Sequence, residues 1–445
     1  MLPKLSPGGR GIVVRFEPFA VRRAFLLSTN IDSAAPPPRG NGGRTAAMRF
    51  IMATMLIDMV SIGIIIPVLP VLVGEFTGSL AEQAFWYGAV TLTFSVANFF
   101  ASPVLGALSD KYGRRPVLLL GFCGLAISFL VTAVATQLWL LIVIRLISGA
   151  TMANSAIANA YVADITPPEE RAQRFGQLGA MLGLGFILGP AMGGVLGDVD
   201  VRLPFVVAGG CALVNLAYGW FVLPESLPPE RRRPMNWRAA ANPFAALARL
   251  GRLEGVGSLV AVIALGSLAQ FVLQTVWVLY TTFRFGWSPM QNGWSLFMVG
   301  AVSFLVQGFL LKRLIGVFGK QRGTQRLVLA GLVSNVLCHI GWALATQGWM
   351  MYALIAVNLL GYAVVPTIQS MVSAAADPKT QGQTMGSVAA LSSLASVLGP
   401  AIGAPLLGFV SHLPPDDWRI GAPFFFTSAL LLACAAIGFA RFRTR

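Results

Sequence analysis

Twelve windows of about 20 predominantly apolar residues run through this 445-residue chain, and no other feature restricts its fold so tightly. A window of that length crosses a bilayer as a helix, because in lipid every backbone N–H and C=O has to bond within its own segment. The windows cover residues 50–73, 86–107, 117–136, 138–160, 174–197, 204–223, 257–281, 291–312, 325–345, 349–371, 384–409 and 420–440, hereafter spans 1 to 12. An all-α integral membrane protein follows. Hydrophobic residues make up 56% of the chain and charged residues only 11%, too few to coat a soluble domain of this size. Cys123, Cys211, Cys338 and Cys434 all fall inside apolar runs without a nearby histidine, which marks them as packing residues rather than ligands or disulfide partners.

A formal charge of +15 would suit a nucleic-acid partner if it formed one patch. Instead the charge sits between helices. Of the 32 Lys and Arg, 28 lie in the N-terminal segment, the 2–3, 4–5, 6–7, 8–9 and 10–11 connections and the C-terminus. The opposite connections hold Arg202, Arg284 and Arg419, and Arg145 lies inside span 4. Such a bias orients a membrane protein, so both termini and the long middle connection are expected in the cytoplasm. No nucleic-acid partner is expected. Residues 1–47 are Arg-rich, carry APPPRGNGG and lack the apolar core of a signal peptide, so they are expected to be a disordered basic extension or a mis-called start ahead of Met48.

The connection at 224–256 is polar, basic and Pro-rich, and it leaves six spans on each side. The two sides repeat. Gly106 and Gly113 recur as Gly316 and Gly323, and Gly176 and Gly189-Pro190 recur as Gly386 and Gly399-Pro400, all displaced by 210 positions. A common offset at separated landmarks signals duplication, and parallel six-helix halves are a known plan of secondary transporters. The expected domains are a six-helix bundle over 48–223, a cytoplasmic linker over 224–256 and a second six-helix bundle over 257–445.

Four charges crowd six positions of the 2–3 connection, GALSDKYGRRPVLLLGF. Gly106 and Gly113 permit close approach and unusual backbone angles, and Pro116 suits the first turn of span 3. A topology signal accounts for Lys111, Arg114 and Arg115 but not for Asp110, whose carboxylate is expected to bond Arg114 or the positive N-terminus of another helix. In span 5, Gly185, Gly189 and Gly193 lie four apart on one stripe that admits a close neighbour, and Pro190 adds a kink; plain helix packing accounts for this as well as a moving joint does. Asp58 in span 1 and Arg145 in span 4 are ionisable groups inside the membrane, costly unless paired or hydrated. As a pair they could exchange protons, with Arg145 biasing Asp58, or form a permanent structural ion pair.

Gln270 and Gln274 share a face of span 7, with Trp277 one turn on, and amides beside aromatic surface suit a neutral or amphipathic polycyclic molecule. Asn154 and Asn159 in span 4, Gln307 in span 8 and Gln369 in span 10 are further candidates, although each alone is commoner as an interhelical hydrogen bond. His339 in span 9 offers a proton relay or a packed ring, and His412 belongs to a connection. The sequence has no complete phosphate-binding loop, no nucleophile–base–acid set and no metal-ligand pattern in a polar segment. An ATP-driven pump, an enzyme and a resident cofactor are therefore not expected.

GALSDKYGRRP resembles the signature between the second and third helices of the major facilitator superfamily, and GLGFILGPAMGG (Gly183 to Gly194) resembles its antiporter signature. The resemblance implies that Asp110, Arg114 and Arg115, framed by Gly106 and Gly113, latch the two halves on the cytoplasmic side. It also implies that Gly185, Gly189, Pro190 and Gly193 shape a moving helix contact, and that transport runs outward. The second-half copy, GVFGKQRG, puts Lys320 where Asp110 stands, so the latch would be one-sided. MLIDMVSIGIIIPVLPVLV, VADITPPEERAQRFG and TVWVLYTTFRFGWSPMQNGWSL are similar to the tetracycline efflux proteins, which exchange drug for protons. That likeness runs from Met48 to the last span. It implies a twelve-helix exporter of a hydrophobic or amphipathic drug, a tetracycline free or metal-chelated, in the lipid of a bacterial cytoplasmic membrane. In that family helices 3 and 9 often carry aspartates at places held here by Ser128 and Asn335, neither of which can carry a proton charge. A metabolite importer of the same fold and a non-transporting membrane sensor are the alternatives.

Overall fold

The computed structural model describes residues 41–234, 257–319, 322–375 and 381–443, so most of the linker, Lys320 and nearly all of the N-terminal extension lie outside the described residues. Eleven helices are long and apolar enough to cross a membrane, and a bent pair in span 10 makes twelve. They lie in the compact unit Ala47–Arg445. Residues 41–46 open the helix Asn41–Ile65.

Several helices outrun their apolar windows because polar residues cap them. Span 2 occupies Leu80–Tyr112, started by the Ser79 side chain on the Glu82 N–H and by Glu82 reaching back to the Gly78 N–H. Span 8 begins at Pro289 behind a full capping box of Ser288 and Gln291. Other windows are not single helices. Span 1 stops at Ile65, ahead of Pro67, and resumes as Leu69–Gly74. Span 4 splits into Leu138–Thr151 and Asn154–Ile165, and span 10 into Gly348–Val357, Leu359–Tyr362 and Val364–Ala375, with a 58° bend at Asn358. The breaks at Ala153 and Ala363 are separated by the same 210 positions as the repeated glycines.

The arginines on the sparsely charged face have structural work. Arg202 donates to the carbonyls of Ala133 and Ala135 at the end of span 3, at 3.0 and 2.7 Å, and Arg284 donates to Ala345 at the end of span 9, at 2.8 Å. Ala135 and Ala345 are again 210 apart, so each half has its own arginine closing the same turn. Arg419 pairs with Asp417 at 2.6 Å, and this hydrogen-bonded partner holds the Asp417 carboxyl well below its usual range, at about 2.

Burial divides the molecule by depth. One hydrophobic cluster joins both halves at the sparsely charged end, with Ile64, Leu72, Phe129 and Phe205 from the first half and Val276, Tyr280, Trp342 and Phe424 from the second. Toward the basic end the halves keep separate cores, one around Met55, Phe122 and Tyr161, the other around Val262, Leu332 and Cys434. Since close side-chain packing is the main attraction between helices in lipid, the halves are joined at one end and parted at the other.

Candidate functional site

Glycines record the same asymmetry at atomic scale. Spans 5 and 8 and spans 2 and 11 carry most of the contacts between the halves. A Cβ added at Gly194 would lie 2.7 Å from the Pro289 carbonyl and 2.9 Å from Gly293 Cα, and one at Gly88 would lie 2.5 Å from Ala404 Cβ. Toward the basic end, Gly106, Gly176, Gly179, Gly183, Gly308 and Gly386 have nothing within 4 Å of that position. Gly106 therefore makes no close approach, contrary to the expectation for it.

Span 5 has two glycine faces with different partners. A Cβ at Gly185 would meet Met59 Cβ at 2.7 Å, one at Gly189 would meet Gly63 Cα at 2.6 Å, and one at Gly193 would run into the Ile64 backbone. That stripe, with Pro190 beside Gly63, fuses span 5 to span 1 inside the first half. The contact between the halves uses the next face, at Gly194 and Gly197, whereas the helix that Gly185, Gly189 and Gly193 approach is span 1.

A cavity of about 840 Å³ lies where the halves part. Span 5 is its only lining from the first half among the described residues, and spans 7 to 12 supply the rest. Of the candidates named from the sequence, Gln270, Gln274, Trp277, Gln307 and Gln369 line it. Asn154 does not. It is 1% exposed and occupied with Asp58, while Asn159 is exposed and bonds the Ser155 carbonyl at 2.8 Å.

A second amide group enters the cavity lining at the break in span 10. The Asn358 side chain donates to Asn335 Oδ1 at 2.9 Å and accepts from the Ser334 hydroxyl at 2.9 Å. His339, one turn from Asn335, donates from Nδ1 to the Asn335 backbone carbonyl at 2.7 Å, and its ring meets the Trp342 ring at a centroid distance of 4.9 Å. Sequence reasoning missed Asn358; its available signal was an asparagine in an apolar run three residues before Gly361, a combination that favours interruption of a helix.

Asp58 is 2% exposed. Its Oδ1 accepts from Asn154 Nδ2 at 2.9 Å, and its Oδ2 has no partner among the described residues. The expected pairing with Arg145 is not formed: no ion pair joins them, and Arg145 keeps an unpartnered Nη2. Asp58 instead meets Asn154, which lies nine residues after Arg145 and beyond the break in span 4. Ser128 is fully buried in span 3 with its hydroxyl unpartnered.

The 2–3 turn at the basic end is the most densely bonded site. Arg114 pairs with Asp110 at 2.6 Å and with Asp164 at 3.1 Å, and it donates to Ser109 Oγ at 2.7 Å. Glu225, just past span 6, accepts from the backbone N–H groups of Arg114 and Arg115 at 2.8 and 3.2 Å, so a carboxylate caps the positive end of span 3. Arg115 donates to the Gly219 and Trp220 carbonyls, and the Arg233 N–H to the Asp110 carbonyl. All of these partners belong to the first half or to the start of the linker. Among the described residues, the side chains of Asp110, Arg114 and Arg115 thus bind one bundle internally. Gly113 is required twice over: its φ is +109°, and a Cβ there would run into Glu225. Gly113→Ala is expected to destabilise the protein by about 1–3 kcal/mol, read as an earlier thermal unfolding midpoint in detergent; an unchanged midpoint would rule out this account of the turn.

The family model of the Major Facilitator Superfamily matches residues 51–400. The tetracycline resistance protein of class C from Escherichia coli is 37% identical over 389 residues, covering 87% of this chain and 95% of that protein. The class D protein from Salmonella ordonez is 33% identical over 383 residues, covering 86% and 94%. Among solved structures, a bacterial homologue of the human lysosomal transporter Spinster superposes with a TM-score of 0.71 at 17% identity, covering 91% of this chain and 98% of that one.

Proposed function

The chain belongs to the Major Facilitator Superfamily, and from that premise we propose that it exports a hydrophobic or amphipathic drug of tetracycline-like size in exchange for protons, by alternating access. Its basic face would lie in the cytoplasm of a bacterial cell and its membrane would be the cytoplasmic one, as the lysine and arginine distribution favours. The observation that carries the reading is the buried Asp58 carboxylate, held by one amide and by no cation, in a bundle beside a cavity that is closed at one end.

A charged carboxylate with an unpartnered oxygen is costly inside a membrane, and a proton removes that cost. Asp58 can therefore favour one arrangement of the halves when protonated and another when not, which is what coupling requires. In the state described, drug would enter from the basic face and meet the amides of Gln270, Gln274 and Gln307 beside Trp277. Arg145 would keep a fixed positive charge in the same bundle. Asp110, Arg114 and Arg115 would change partners when the basic ends meet, Asp110 becoming the group free to bond across the halves.

Direction and substrate draw support from the tetracycline resistance proteins at 37% and 33% identity. In inverted membrane vesicles with an inward-acid pH gradient, tetracycline or another amphipathic drug is expected to accumulate, and a protonophore to abolish the accumulation. Gradient-driven uptake only in right-side-out vesicles would instead indicate an importer, and ligand binding without flux in either orientation a sensor.

A further inference from the structure

The two broken spans face different chemistry. The span-4 break stands beside the Asp58 carboxylate, whereas the span-10 break stands beside amides and an imidazole that line the cavity. We propose that Asn335 and His339, positioned by Asn358, read a hydroxyl or carboxamide on an uncharged molecule, which is carried without a metal ion. The inference rests on the export reading above and names the substrate class of that cavity.

Three observations support it. The hydrogen bonds fix which atoms remain for a ligand. Asn335 Oδ1 is taken by Asn358, leaving the Asn335 NH₂ as a donor. The Asn335 carbonyl accepts from His339 Nδ1, since a carbonyl cannot donate; the proton is thus on Nδ1, and in the neutral imidazole Nε2 is an acceptor. Donor and acceptor stand one helical turn apart on the same face of span 9, and both residues line the cavity. A neutral group that both donates and accepts satisfies the pair.

The second observation is charge. The described cavity lining contains no Asp, Glu, Lys or Arg. A permanent cation or a metal chelate with net charge would leave water here without an opposing charge, which is unfavourable in a low-dielectric site. Third, the tryptophans do not form an open cage that would hold a cation by its π faces. Trp277 and Trp342 are 4% and 3% exposed, meet edge to face at 5.1 Å, and donate their indole N–H groups to Ser295 Oγ and to the Met351 carbonyl. They add apolar surface to the lining.

The test is equilibrium binding to the full-length protein in lipid nanodiscs, with chloramphenicol as uncharged probe, tetraphenylphosphonium as lipophilic cation, and tetracycline in either EDTA or magnesium chloride. Chloramphenicol is expected to bind at least about tenfold more tightly than the cation, and tetracycline to bind as well in EDTA as in magnesium. His339→Leu should weaken the uncharged probe about tenfold, and His339→Gln should restore most of that loss. Asn335→Asp, which puts a carboxylate into the lining, should reverse the preference toward the cation. Tighter binding of the cation by the native protein, a magnesium requirement, or equal losses in both His339 variants would overturn the inference. Uncharged-probe binding without proton-linked flux in vesicles would overturn the export reading and leave this inference standing. A folded protein that binds none of the probes would overturn both.

Discussion

Asp58→Asn is expected to reduce proton-driven drug accumulation to the level of vesicles lacking the protein. Asparagine keeps the volume of the side chain and an oxygen for the Asn154 amide, so the 2.9 Å hydrogen bond and the packing around it survive. What disappears is the exchangeable proton. The variant holds the uncharged form at all pH values, and both ends of the pH range should then give the same conformational balance, in place of the pH-dependent balance of the native protein. Drug binding and drug–drug exchange across the membrane, which need no net proton movement, should persist. Measuring accumulation and exchange on the same vesicles separates the two, and protonophore-sensitive accumulation retained by the variant would refute the assignment of Asp58.

Gly194→Val carries the second large effect, and it acts without touching ligand or proton. The position where its Cβ would sit is 2.7 Å from the Pro289 carbonyl and 2.9 Å from Gly293 Cα, both across the joint between the halves. Overpacking of this kind costs about 1–3 kcal/mol, all of it charged to the state in which this end is shut. The equilibrium should therefore move about five- to 150-fold away from the state open to the basic face. A cysteine placed at Gly179, which lines the cavity and has no neighbour within 4 Å of its Cβ position, reports that state through labelling by a membrane-impermeant maleimide from the basic side. Labelling should slow by about the same factor when Gly194→Val is added. An unchanged rate would mean that this joint does not govern the opening.

The twelve spans and the duplication were legible because lipid imposes length and apolarity on every crossing segment, and because four of the glycines at the 210-residue offset, Gly113, Gly189, Gly323 and Gly399, occupy places where a side chain would collide. Gln270, Gln274 and Gln307 were legible for a related reason, since amides in apolar helices need partners and the spacing of the first two put them on one face. The same reasoning misplaced Asn154, because an isolated asparagine looks alike whether it faces a ligand or a buried carboxylate. Asp164 and Glu225 were missed as partners of the 2–3 turn. They lie 50 and 111 residues from Arg114, in segments that read as solvated loops, and only the folded bundle brings span ends 2, 3, 4 and 6 to one point. A carboxylate directly after a span, within an otherwise basic connection, was the available sign.

The state of the molecule was equally beyond the sequence. GALSDKYGRRP resembles a latch between halves, whereas in the structure Asp110, Asp164 and Glu225 engage Arg114 from within the first bundle. The motif alone does not name the last two partners.

The two glycine faces of span 5 bear on how defects should be repaired genetically. A loss of function at Gly189 is a fault inside one bundle, where the colliding backbone is that of Gly63, and revertants are expected to restore room along span 1. A loss of function at Gly194 is a fault between bundles, where the colliding backbone is that of Pro289 and Gly293, and compensating changes are expected to map to span 8, a hundred residues away in the chain. Two neighbouring classes of lesion on one helix would thus draw their suppressors from different halves of the gene.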